Sequence, residues 1–163
     1  MKETKINEIK SGQVYYLWGK PYTLKVIHLG ECHDVYIQGD DLILNTKKDS
    51  NFVEREKQLD RWYRNQLKRV LPEVLHRCEK IVGKTARECR IKKMKTRWGT
   101  CNIIERRIWI NLQLAKKTPD CLDYVMIHEL THLYERGHGP RFKAYMDEFY
   151  SNWRSVKKHL NES

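Results

Sequence analysis

A single α+β domain is the fold class that the sequence predicts. Three observations carry it. Short runs rich in β-branched and aromatic residues, separated by turn residues, fill the first 50 positions. Apolar residues at helical spacing take over from about Phe52, and a second set of strands then precedes further helices. The length of 163 residues suits one compact domain and is short for two. Residues 1–163 are therefore read as one unit, β-rich over 1–50 and helix-dominated over 51–163.

Each element follows from local composition. Val14-Tyr15-Tyr16-Leu17-Trp18 and Tyr22-Thr23-Leu24-Lys25-Val26-Ile27 are separated by Gly19-Lys20-Pro21, a hairpin-like break. Val35-Tyr36-Ile37 and Leu42-Ile43-Leu44, split by Gly39-Asp40-Asp41, repeat the pattern, so two hairpins in one antiparallel sheet are expected. Val53, Leu59, Trp62, Tyr63, Leu67 and Val70 then mark an amphipathic helix, with Trp62 and Tyr63 read as core. Pro72 predicts a kink or the first turn of a second helical segment, which Gly83 ends. Strands are expected at Cys89–Met94, Arg97–Asn102 and Arg107–Asn111; the connection at 103–106 lacks glycine and carries no turn-type signature. Pro119 and Asp120 start a helix carrying Leu122, Val125, Met126, Leu130 and Leu133, closed by Gly137. A last helix is expected from about Pro140 to Leu160, with Phe142, Tyr145, Met146, Phe149, Trp153 and Val156 facing inward.

Hydrophobic residues at 40% and charged residues at 33% fit a globular chain and exclude a disordered one. No apolar run approaches the roughly 18 residues of a membrane helix, and the N-terminal stretch has no apolar core of a secretory signal. A cytoplasmic location without membrane association is the expectation. Five cysteines, widely spaced and without a Cys-x-x-Cys pair, argue for reduced, mostly buried thiols rather than a disulfide framework or a four-cysteine zinc site. The formal charge of +11 is uneven. Residues 51–119 hold 19 Lys/Arg against 7 Asp/Glu, whereas the first 50 residues balance and residues 120–163 carry a net −1. That excess favours an acidic partner or substrate by long-range attraction; the alternative is a solvated basic face.

The strongest chemical signal is His128-Glu129-Leu130-Thr131-His132, a His-Glu-x-x-His pattern. Residues four apart share a helix face, so both imidazoles can bind one Zn²⁺ at about 2.0–2.1 Å. Glu129 then reaches the water on the metal rather than the metal itself. Zinc lowers the pKa of such a water toward about 7, and a carboxylate beside it can act as general base at neutral pH. The motif sits in an otherwise apolar helix, where imidazoles and a carboxylate would be costly without a partner.

A catalytic zinc usually has three protein ligands and an open position. His138, after five intervening residues, is the favoured third ligand. Metzincins use the same gap, but with their glycine third in it, whereas Gly137 stands fifth here. The gluzincin arrangement would instead take a glutamate from a following helix, Glu148, with Asp147 behind it.

The chain resembles the YgjP-like metallopeptidase family, related to SprT-type and minimal gluzincin-like zinc proteins. Four stretches carry the likeness: Arg97-Trp98-Gly99-Thr100-Cys101, Ile108-Trp109-Ile110-Asn111-Leu112-Gln113-Leu114, Leu122 through His132, and His138-Gly139-Pro140-Arg141-Phe142. Trp18-Gly19-Lys20-Pro21-Tyr22 is similar more loosely. The resemblance implies a zincin-like fold: a small antiparallel or mixed sheet whose edge strand borders the cleft, an active-site helix and backing helices. It also implies His138 as the third ligand. Arg97, Trp98, Arg141 and Tyr145 are candidate substrate or transition-state contacts, and Cys101 stands in the same motif.

Three functions compete. The first is zinc-dependent peptide hydrolysis, with one Zn²⁺, Glu129 as base and a peptide substrate. The second is cleavage of a nucleoside triphosphate, uridine triphosphate, to a monophosphate and pyrophosphate at the same zinc site, an activity with which YgjP-like proteins have been connected; no Gly-x-x-x-x-Gly-Lys phosphate loop accompanies it. The third is a SprT-like module associating weakly and electrostatically with nucleic acid, for which no recognised motif is present.

Overall fold

Leu42, Ile43 and Leu44 are buried in succession, and a strand hidden on both faces belongs at the centre of a sheet. In the structure, a computed structural model describing residues 8–162, they form β4 (Asp41–Asn45). β1 (Val14–Leu17) and β2 (Lys20–Ile27) make one antiparallel hairpin, and β3 (Val35–Gln38) and β4 make the other. The order is β1-β2-β4-β3, with β2 and β4 parallel. The expected hairpins are present, but the sheet is mixed rather than antiparallel. The more exposed β3 takes the edge, which brings the apolar β4 beside β2.

The first hairpin turns one step earlier than expected, at Trp18 and Gly19, whose φ values of 51° and 82° are those of a type I′ turn. That turn docks onto the rest of the chain. The Trp18 and Gly19 amides donate to the carbonyls of Ala115 and Lys116 at 2.8 and 3.2 Å. A Cβ on Gly19 would stand 2.6 Å from Cγ2 of Thr118, so only glycine fits there.

Helix α1 (Phe52–Val82) is continuous over 31 residues. Asn51 and Glu54 form a reciprocal capping box at its start, and Gly83, with φ 78°, closes it. Pro72 neither divides it nor starts a second helix. It lies on the exposed side, while Leu71 and Val74 on either side of it are buried and hold the helix to the core. Tyr63 is buried, as expected, and Trp62 packs at the margin of the core.

A second sheet follows. β5 (Glu88–Lys92) runs parallel to β7 (Arg107–Asn111), and β6 (Gly99–Asn102) is antiparallel to it, in the order β5-β7-β6. Ile108 and Ile110 make β7 the buried centre, leaving β6 as an edge strand. The turn before β7 uses Asn102, whose Oδ1 accepts the Glu105 amide at 3.0 Å, and Arg106 in the left-handed region. At the far end of β7, the buried Asn111 side chain donates to the carbonyls of Met94 and Arg97 at 3.1 and 2.7 Å. Its Oδ1 accepts from the amides of Met94 and Gln113 at 3.3 and 3.0 Å. One amide thus pins the approach to β6 and starts the short 3-10 helix Leu112–Lys116.

Three helices complete the fold: α2 (Pro119–Thr131), α3 (Pro140–Phe149) and α4 (Trp153–Glu162). α2 is buried against α1 on one side and β6, α3 and α4 on others. The expected single last helix is two helices. Asp147 accepts from Trp153 Nε1 at 2.8 Å and from Arg154 at 2.5 Å, drawing the next turn back toward α3. Of the residues expected to face inward, Phe142, Met146, Trp153 and Val156 are buried, and Tyr145 and Phe149 only partly. All five cysteines are free; Cys78 and Cys121 are buried, Cys89 and Cys101 half-buried, and Cys32 is exposed, against the expectation of mostly buried thiols. Among the described residues no helix is long and apolar enough to cross a membrane.

Replacing Asn111 with leucine, similar in size but unable to bond, strands carbonyls and amides in the core. A loss on the order of 3 kcal/mol is expected, read as a lower urea midpoint at unchanged slope.

Candidate metal centre

α2 ends at Thr131 rather than running to Gly137. Short-range hydrogen bonds mark the early stop. Thr131 Oγ1 donates back to the Ile127 carbonyl at 2.6 Å, and the next amides take short-range turn partners: Leu133 to Leu130 and Tyr134 to Thr131, at 3.0 and 2.9 Å. Had the helix continued, residue 138 would lie about 9 Å further along the axis than His132. Instead the chain reverses and the His138 ring comes to 4.7 Å from that of His132 and 5.1 Å from that of His128.

The reversed turn is held on both sides. Tyr134 Oη donates to the Val82 carbonyl at 2.7 Å, at the end of α1, and its ring stacks on Tyr145 with centroids 4.8 Å apart. Glu135 pairs with Arg141 at 3.5 Å, bridging the segment that contains His138. Beneath the three imidazoles lies Phe142, 2% exposed, with ring centroids 5.0, 4.7 and 5.0 Å from His128, His132 and His138.

His128, His132 and His138 have ligand-capable atoms all within 4.8 Å of one another. The donor set fits a zinc-type ion. The Nδ1–H of His132 donates to the Glu135 carbonyl at 3.0 Å, which fixes the tautomer and leaves Nε2 free to bind a metal. The Nδ1 of His128 lies 3.0 Å from Oε1 of Glu129, whose side chain is only 6% exposed. Burial, then the neighbouring imidazoles, depress the pKa of His138, keeping it in the neutral form a metal requires. Glu148 is exposed on α3 and lies outside this cluster.

The site floors a cleft of about 700 Å³ between the β6 edge, α2, the 132–139 turn, α3 and α4. Gly99 sets how closely β6 approaches α2. A Cβ there would stand 2.8 Å from Val125 Cγ1, 3.1 Å from Glu129 Cγ and 3.2 Å from the Trp109 carbonyl. The role of this glycine is close approach.

The remaining candidates divide. Arg97 and Trp98 line the cleft; Trp98 Nε1 donates to Asn161 Oδ1 at 3.1 Å. Arg141 and Tyr145 do not line it: one is engaged by Glu135, the other stacked between Tyr134 and Phe149. Cys101 lines the cleft, but burial, with a contribution from Glu129, pushes its thiol up to about 11, so it is no thiolate nucleophile at neutral pH. Sequence reasoning missed three contributors: Phe142 as the shared floor of the imidazoles, Tyr134 as the anchor of the turn, and Tyr124. The Tyr124 ring lies 5.8 Å from His128, and burial, with Glu129, holds its phenol protonated up to about 12.

An α+β scaffold with three histidines and a buried glutamate in one cleft defines a metallohydrolase-type site. The sequence model described as "YgjP-like, metallopeptidase domain" matches residues 1–163, and the chain belongs to that family. Among solved structures, the metallopeptidase zymogen abylysin of Pyrococcus abyssi is 17% identical, with a TM-score of 0.50 over 55% of this chain and 90% of that one. The metallopeptidase zymogen jannalysin of Methanocaldococcus jannaschii is 14% identical, with a TM-score of 0.48 over 56% and 93%. The likeness to abylysin is one of fold. No curated protein sequence matches the chain.

Purified without added metal, wild type and Glu148→Ala are expected to carry about one zinc per chain, and His138→Ala to lose it on dialysis. Zinc retained by His138→Ala but lost by Glu148→Ala would reassign the third ligand. Titration against a chromophoric chelator is expected to show zinc affinity falling as pH drops. Burial and the neighbouring imidazoles lower the His138 pKa, so protonation of His138 itself should contribute to that loss only below the ordinary imidazole value of 6.5. Gly99→Ala is expected to cost about 1–3 kcal/mol of stability and to displace Glu129.

Proposed function

We propose that the chain is a zinc metallopeptidase in which His128, His132 and His138 hold one Zn²⁺ and Glu129 is the general base. The observation that carries the reading is the meeting of three imidazoles and a nearly buried carboxylate beside the free edge of β6. An edge strand offers unpaired backbone groups to an extended peptide, which can join as a further strand. A nucleotide would make no use of that edge. The chemistry a bound zinc supplies is Lewis acidity, which polarises a carbonyl and makes water more acidic.

The protein's own groups do the rest. Glu129 takes a proton from the attacking water at its carboxylate and hands it to the departing amine nitrogen. Its burial beside Val125 and Gly99 holds that carboxylate in place. Phe142 backs the imidazoles and keeps water from their lower side. The Tyr124 phenol, protonated at neutral pH, is available as a hydrogen-bond donor at the cleft wall.

Glu129→Gln keeps the shape of the side chain and removes the base. It is expected to retain zinc and to lose casein hydrolysis by at least about 10²-fold, measured beside metal content. Casein cleavage surviving in Glu129→Gln would exclude Glu129 as base. Glu129-dependent hydrolysis of uridine triphosphate, with none of casein, would move the assignment to nucleotide cleavage.

A further inference from the structure

Four cations line the cleft, each from a different element: Arg97 ahead of β6, Arg136 in the turn, Lys143 on α3 and Lys157 on α4. All four are exposed, and none has an ion pair, side-chain hydrogen bond or ring contact among the described residues. Their neighbours are neutralised. On α3, Arg141 pairs with Glu135; on α4, Arg154 pairs with Asp147 and Lys158 with Glu162. Among the described residues Glu129 is the only carboxylate lining the cleft, and it is buried. Lys157 is close enough for its charge to be felt at His138.

Unpaired charges of one sign around a concave site with apolar walls focus their field into it. The apolar part is supplied by Trp98, Ile103 and Phe142. We propose that the cleft selects peptides with Asp or Glu side chains flanking the bond to be cut, with Arg97, Arg136, Lys143 and Lys157 as the specificity-determining rim. This rests on the peptidase reading of the same cleft. The cations come from separate elements around the cleft, an arrangement that suits carboxylates spaced along an extended chain.

Zinc-loaded Glu129→Gln protein separates binding from cleavage. Fluorescence anisotropy would compare labelled extended peptides of about ten residues, one with Glu and Asp around an apolar centre, one with Gln and Asn in their place, and one with Lys. The acidic peptide is expected to bind about 10-fold tighter than its neutral counterpart at low salt, with the difference shrinking as salt screens the rim. The Lys143→Gln/Lys157→Gln pair, placed at exposed positions, should abolish most of that difference and weaken the acidic peptide far more than the neutral one. Equal affinities, no measurable binding of any peptide, or a preference indifferent to the two lysines would overturn the proposal. It also falls if uridine triphosphate binds in a lysine-dependent way while acidic peptide does not. Selective binding of the acidic peptide, with no cleavage by wild type, would instead uphold the rim and overturn the peptidase reading.

Discussion

The reversal of the chain directly after His132 is the constraint on which the centre depends. Two histidines four apart on a helix present their rings side by side whatever follows. A third can join only if the helix stops, because each added turn would carry it further along the axis. Thr131 bonding back to Ile127, the short-range amide pairs and the Tyr134 contact with Val82 all serve that stop. Phe142 then fills the space beneath the rings, so that the imidazoles meet over a solid floor rather than over water.

Around this turn the fold is arranged in dependence. The edge strand β6 is drawn against α2 at Gly99, and its approach is pinned from behind by Asn111. The N-terminal sheet reaches the same region through the Trp18-Gly19 turn, which rests on Thr118 at the start of α2. Helix α2 is therefore fixed at its beginning by one sheet, along its side by the other, and just past its end by α1.

Much of this was legible in the sequence, for reasons that can be located. His128, Glu129 and His132 follow from helical spacing and zinc chemistry, and α2 begins at Pro119 as its composition predicts. The hairpins, β5 to β7 and the Gly83 stop also follow from local signals. What was not legible is non-local. Pro72 reads as a break until the burial of Leu71 and Val74 is known, and Gly137 reads as the helix end because the Tyr134 anchor comes from α1, 52 residues away. β4 lies beside β2 because of burial on both its faces, which no window of sequence displays. Tyr145 has inward spacing, yet its partners are Tyr134 and Phe149 rather than a substrate. The charge tally also misdirects. Three of the four cleft cations come from residues 120–163, the stretch with a net −1, because apart from the buried Glu129 none of the acids there lines the cleft.

The Tyr134 hydroxyl makes the end of the longest helix and the beginning of the metal turn a single cooperative unit. Anything that orders the turn, a bound ion above all, draws part of its free energy into holding the Val82 end of α1 closed, and fraying of that end loosens the third histidine. If an ion binds there, its affinity and the local unfolding equilibrium of α1 would in this way be thermodynamically linked.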